Sequence, residues 1–149
     1  MEKAFPARLI DPADLLVLIV DDEEGIRSLV EINLKKEGFQ TVCAGDGAEA
    51  LTKLEPRAPD LIFLDLMMPG QSGYEFLRHL QAAGHSRIPV VISTARSLDS
   101  STVGVILQET NVVGFFPKPF NWPMILDAVH KRLNTRRSAP PLPDASKPG

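Results

Sequence analysis

The stretch Leu61-Ile-Phe-Leu-Asp-Leu-Met-Met-Pro-Gly70 decides how the rest of the chain reads. Four apolar residues follow one another without polar alternation and run into a single carboxylate, Asp65; the Pro69-Gly70 pair then breaks the run. An apolar run of strand length with no alternation is what a strand covered on both faces looks like. Working outward, similar runs occur at 15–20, 39–44, 88–93 and 112–116, with 60–64 as the third of five. Between and after them lie 25–37, 48–55, 73–83, 99–109 and 121–136, where apolar residues recur at spacings of three and four. Ile26, Leu29, Val30 and Leu34 form one such stripe, closed by Gly38, and Ile125, Leu126, Val129 and Leu133 form another. Strand and helix alternating five times, with short links, predict an α/β domain: a five-stranded parallel doubly wound sheet with five helices.

A chain of 149 residues, 44% hydrophobic and 23% charged, can bury its own core as one domain. Residues 1–14 read as an N-terminal extension, 15–135 as the folded domain, and 136–149, rich in proline, as a flexible tail or linker stump. No room remains after the domain for an output module within these residues, although such a stump is also what a removed module would leave. The formal net charge of −3 supplies no basic footprint, so no nucleic acid is expected as a direct partner. Cys43 is the sole cysteine and fits a reducing compartment as a small buried hydrophobe. No apolar run approaches the roughly 20 residues of a membrane span, and the N-terminus lacks a secretory pattern. The expectation is a cytoplasmic protein without a membrane partner. His79, His85 and His130 show no metal-ligand spacing and are expected to be solvated. Lys131, Arg132, Arg136 and Arg137 are cations of the kind that favour a helix C-terminus.

In an open parallel sheet, ligands sit outside the carboxyl ends of the strands. The first run ends in Asp21-Asp22-Glu23, the third in Asp65, the fourth in Ser93-Thr94, and the fifth is followed by Lys118-Pro119. Clustered carboxylates repel unless a cation holds them, and oxygen-only donors suit Mg²⁺. Asp65, flanked by apolar chain, is the candidate nucleophile toward phosphorus, with the metal and Lys118 offsetting phosphoryl charge.

These motifs, Val20-Asp-Asp22, Leu64-Asp-Leu-Met-Met-Pro-Gly70 with Gly73, Ser93-Thr-Ala95 and Lys118-Pro-Phe120, resemble in order and spacing the receiver domain of two-component response regulators, particularly the single-domain chemotaxis and sporulation members. The resemblance covers about 15–135. It implies a flavodoxin-like sheet in the order 2-1-3-4-5, and Asp65 as the acceptor of a phosphoryl group from a histidine kinase or phosphotransfer protein. By the same resemblance Asp22 is a direct Mg²⁺ ligand, Asp21 binds the metal through water, and the Met67 carbonyl is a further ligand. Thr94 is the switching hydroxyl, Lys118 the phosphoryl's cationic partner and Phe115 the switch aromatic, and Lys118-Pro119 is expected to be cis. Output is expected through a downstream protein on the face of the fourth helix, fifth strand and fifth helix, with room for a phosphorylation-dependent dimer.

Three departures bear on that face. Phe115 lacks the hydroxyl of the tyrosine many members carry, Gly104 interrupts the fourth helix, and Thr110-Asn-Val stands where Ala-Gly-Ala is common. Two other readings compete with this one. An aspartyl-nucleophile phosphohydrolase would want an acid two positions after Asp65, where Met67 stands; a pseudo-receiver would not need the complete Asp, Thr and Lys set. A signalling domain and not an enzyme is therefore expected.

Overall fold

The computed structural model describes residues 9–94, 104, 106 and 111–138. Five strands, β1 (Leu16–Val20), β2 (Gln40–Ala44), β3 (Leu61–Asp65), β4 (Val90–Thr94) and β5 (Val112–Pro117), form one parallel sheet in the order β2-β1-β3-β4-β5. Among the described residues, four α-helices with both ends defined accompany them: α1 (Glu24–Lys36), α2 (Gly47–Thr52), α3 (Ser72–Ala82) and α4 (Trp122–Leu133). The expected helix at 99–109 lies outside the described residues apart from Gly104 and Ile106, both helical. The tail likewise lies outside them beyond Ser138.

Alternate residues of the inner strands feed two separate cores, which is why their runs lack polar alternation. Leu18 and Val20 of β1 join Ile62, Leu64 and Ile92 beneath Phe76, Leu77 and Leu80 of α3. Val17 and Ile19 join Leu61, Phe63 and Val91 beneath Val30 and Leu34 of α1 and Ile125, Leu126 and Val129 of α4. Every residue of β3 is buried, whereas β2 and β5 at the edges are only partly covered.

The helix ends follow local chemistry. Asp46 accepts from the Glu49 amide at 2.7 Å to cap α2, and Asn121 accepts from the Met124 amide at 3.2 Å to cap α4, ahead of Pro123 in its first turn. Gly38, at φ +99°, ends α1 in a conformation that disfavours a side chain. Asn111, buried in the segment before β5, donates to the Ile88 carbonyl and accepts from Gln81, both at 2.9 Å. Asn111 thus ties α3 to the entry of β4.

Two expectations are corrected. His130 is buried, not solvated: α4 turns it inward against the Phe39 ring, with centroids 5.2 Å apart, and both its ring nitrogens find partners. Cys43 is half-buried, not a core hydrophobe, because β2 is an edge strand; its Sγ lies 3.5 Å from Glu31 Oε2, and burial with that carboxylate pushes the thiol up to about 11.

Candidate functional site

Sheet register assembles the rim. Val20 pairs with Leu64, so Asp21 and Asp65 emerge side by side at the carboxyl ends of β1 and β3. Asp65 pairs with Ser93, and Thr94 with Pro117, which sets Lys118 one residue past the end of β5. A bulge between Val90 and Val91 leaves Val113 without a partner on β4 and brings Phe115 opposite Ile92. The Lys118 amide donates to the Thr94 carbonyl at 2.9 Å, and Lys118-Pro119 is cis. The lysine side chain is long enough to return across β4.

It does so to two buried acids. Lys118 Nζ lies 3.0 Å from Asp21 Oδ2 and 3.2 Å from Asp65 Oδ2, with Glu23 Oε1 at 3.9 Å. Carboxylate oxygens of Asp21, Asp22 and Asp65 lie within 4.8 Å of one another. Burial is the main influence on Asp21 and raises its carboxyl above the ordinary range; the nearby Asp65 adds to this, while hydrogen bonds from the Glu23 amide and Lys118 oppose it. Burial alone would lower Lys118, but its bonds to Asp21 and the charges of both acids outweigh it and hold the ammonium above the ordinary lysine value. Lys118 is therefore charged at any physiological pH.

The carboxylates are held by local backbone. The Met67 amide donates to Asp65 Oδ1 at 3.0 Å and the Glu23 amide to Asp21 Oδ1 at 2.9 Å, each two residues downstream. The opposite oxygen of each acid is the one facing Lys118. Asp22 is exposed at the edge of the cluster. Thr94 is buried at the end of β4, and Phe115 is half-buried against the core that contains Ile92 and Ile106. Phe116 packs on the opposite face, so the two rings divide between the cores. The Met67 side chain is 40% exposed and brings no acid or base to Asp65.

Hard oxygen donors on three carboxylates, beside the Met67 main chain, fit an octahedral divalent cation, whose opposite ligands stand about 4.2 Å apart. One contributor, Arg27, was not singled out from sequence. Arg27 Nη1 donates to the Asp21 carbonyl at 2.7 Å, fixing the acidic loop to α1. Glu23 adds a carboxylate near Lys118, but at 63% exposure that contact is largely screened. Arg27 lies six residues beyond Asp21, a separation that no strand or helix period connects.

Comparison with known proteins agrees with this geometry. Residues 17–130 match the response regulator receiver domain family. The DNA-binding response regulator MtrA of Mycolicibacterium smegmatis is 37% identical over 125 residues, which cover 83% of this chain and 53% of MtrA; MtrA of Mycobacterium tuberculosis gives the same figures. The chain thus spans about half the length of these curated relatives. Among solved structures, a response regulator receiver protein from Pseudomonas putida superposes with a TM-score of 0.71 at 28% identity, covering 78% of this chain and 96% of that one. Chemotaxis response regulator CheY4 of Vibrio cholerae gives 0.67 at 29% identity, covering 78% and 97%.

These relatives correct one expectation. The absence of a nucleic-acid partner was argued from a net charge of −3, but MtrA is a DNA-binding protein. The charge of a matched region covering half of such a protein does not report what the whole binds. Among the described residues no helix is long and apolar enough to cross a membrane. From the five-stranded parallel order, the acidic rim closed by Lys118 and the match over 17–130, the chain belongs to the response regulator receiver domain family.

Proposed function

We propose that this receiver accepts a phosphoryl group on Asp65 from the phosphohistidine of a kinase or phosphotransfer protein, and that the phosphorylated form controls DNA binding by an effector. The observation that carries the reading is the half-buried Lys118 bridging the buried Asp21 and Asp65 at 3.0 and 3.2 Å. A structural ion pair needs one carboxylate; a lysine shared between two, with a third beside them, suits a site that handles extra negative charge. DNA as the ultimate target is supported by the MtrA relatives.

In the transfer, an Asp65 carboxylate oxygen forms a bond to phosphorus as the bond from phosphorus to the donor's imidazole nitrogen breaks. The nitrogen keeps the electron pair, and the aspartate becomes an acyl phosphate. The Met67 amide orients the carboxylate through Oδ1, and the Lys118 ammonium lies beside Oδ2 to neutralise the incoming charge. Asp21, Asp22, Asp65 and the Met67 carbonyl are the groups to hold Mg²⁺. The chemistry that ion supplies when bound is neutralisation of the phosphoryl oxygens. Thr94 is the hydroxyl that follows the new phosphoryl group, and Phe115 the ring that repacks with it. Because Met67 provides no acid or base for turnover, the domain acts as a switch and not as a phosphohydrolase. The reading implies a cytoplasmic protein.

Incubation with acetyl phosphate and Mg²⁺, followed by intact mass measurement, tests this reading. The parent gains one acid-labile phosphoryl mass and Asp65→Asn gains none. Equal labelling of the variant would overturn the assignment.

A further inference from the structure

At the end of the domain opposite the acidic rim lies a second buried polar cluster, which the phosphoryl chemistry does not use. α4 ends on Asn134, whose left-handed backbone (φ 59°, ψ 46°) folds the chain back over the helix. The Thr135 amide then donates to the His130 carbonyl at 3.0 Å, and Thr135 Oγ1 lies 2.6 Å from His130 Nδ1. On its other side, His130 Nε2 lies 2.7 Å from Glu37 Oε1 at the end of α1, and the two side chains are only 5% and 9% exposed. A carboxylate can only accept, so Nε2–H donates to Glu37; in the neutral ring Nδ1 then accepts from the Thr135 hydroxyl.

The cluster reaches beyond the helix. Glu37 Oε1 also accepts from the Ser138 amide at 2.9 Å, and the Ser138 hydroxyl donates to the Lys36 carbonyl at 3.3 Å. Ile10 forms a parallel bridge with Thr135, its amide donating to the Asn134 carbonyl at 2.8 Å. Arg137 Nη1 reaches Asp127 on α4 at 2.8 Å. A segment outside any helix or strand is therefore tied to α1, to α4 and to the residues before β1. Leaving either buried partner of His130 unmade would strand a polar group, so these bonds stand or fall together.

We propose that Glu37, His130, Thr135 and Ser138 form a latch that makes residues 134–138 part of the rigid domain and fixes where the polypeptide leaves it. α4 starts four residues after Lys118 of the rim and ends at the latch, so one helix spans the distance between them. Residues 134–138 thereby take their position from α1 and α4, not from a free hinge.

Arg136 and Arg137 make the latch measurable, because trypsin cleaves after them only when the flanking residues detach. The experiment uses the full 149-residue chain under native conditions, with fragments identified by mass. Cleavage after Arg78, on the exposed side of α3, serves as the internal reference. Thr135→Val keeps the side-chain shape and removes the hydroxyl; Glu37→Ala removes the shared acceptor. The latch predicts cleavage after Arg136 and Arg137 faster by about tenfold or more in both variants, with the Arg78 rate unchanged. Unchanged cleavage at Arg136 and Arg137 in Thr135→Val would overturn it. So would a rise matched at Arg78, which would mean that the cluster only stabilises the whole fold.

Discussion

Asp21 is a buried carboxyl at the rim whose charge weighs against folding stability. Its carboxyl is raised above the ordinary value, chiefly by burial, so the folded protein holds that proton more tightly than the unfolded chain does. Stability from this group is therefore gained as pH falls through the raised value and lost as pH rises through it. Near neutrality Asp21 is a charge the fold tolerates and does not gain from. Asp21→Asn is accordingly expected to shift the urea midpoint upward at pH 7 in chelator, and to flatten the pH dependence below neutrality. The same variant should lose roughly tenfold or more in Mg²⁺-dependent labelling of Asp65, the scale seen when a metal site loses a supporting group. A midpoint below that of the parent would show that the bond to Lys118, not the burial, dominates.

At the scale of the element, Gly73 couples α3 to β3. A Cβ at this position would stand 2.6 Å from the Asp65 carbonyl oxygen and 2.7 Å from that of Leu66, both main-chain atoms that cannot swing aside. The first turn of α3 can therefore pass this close to the strand that carries Asp65 only with hydrogen in place of a side chain. Gly73→Ala should push α3 outward, lowering stability by about 1–3 kcal/mol, the usual range for overpacking. Because the displaced carbonyl belongs to Asp65 itself, labelling by acetyl phosphate should slow as well. Urea unfolding and a labelling time course check the two effects, and a variant matching the parent in both would refute the coupling. Asn111 works at the same scale at the other end of α3, where it joins that helix, the segment before β4 and the start of β5.

Across the whole molecule, the rim and the β5 edge are joined by short paths. Lys118 bonds through its main chain to Thr94 and through its side chain to Asp65, and it directly follows the strand that carries Phe115. Packed interiors favour discrete arrangements, so a new group on Asp65 should change β5 as a unit. Beryllofluoride with Mg²⁺ is therefore expected to move the amide resonances of residues 112–116 along with those at the rim. Changes confined to residues 64–68 would refute propagation to this face.

The doubly wound plan was legible because each inner strand is covered on both sides and each helix on one, patterns that repeat within a few residues. Asp65 and Lys118 stood out for the same local reason: a charged side chain directly after an apolar run has few places to go except the rim. Element ends proved less legible. α2 stops at Thr52, short of the expected 55, and β3 covers Leu61–Asp65 where the apolar run gave 60–64. Partnerships between distant residues were not legible at all. Nothing around His130 in the chain announces Glu37, 93 positions earlier, and nothing around Asp21 announces the Arg27 bond to its carbonyl. Local sequence determined the order of strands and helices and which residues border the rim, because apolar period and turn chemistry act over a few residues. Tertiary structure alone decided which polar groups share a buried space, and so their partners and their charge, because burial and Coulomb energy depend on distance in space, which periodicity does not encode.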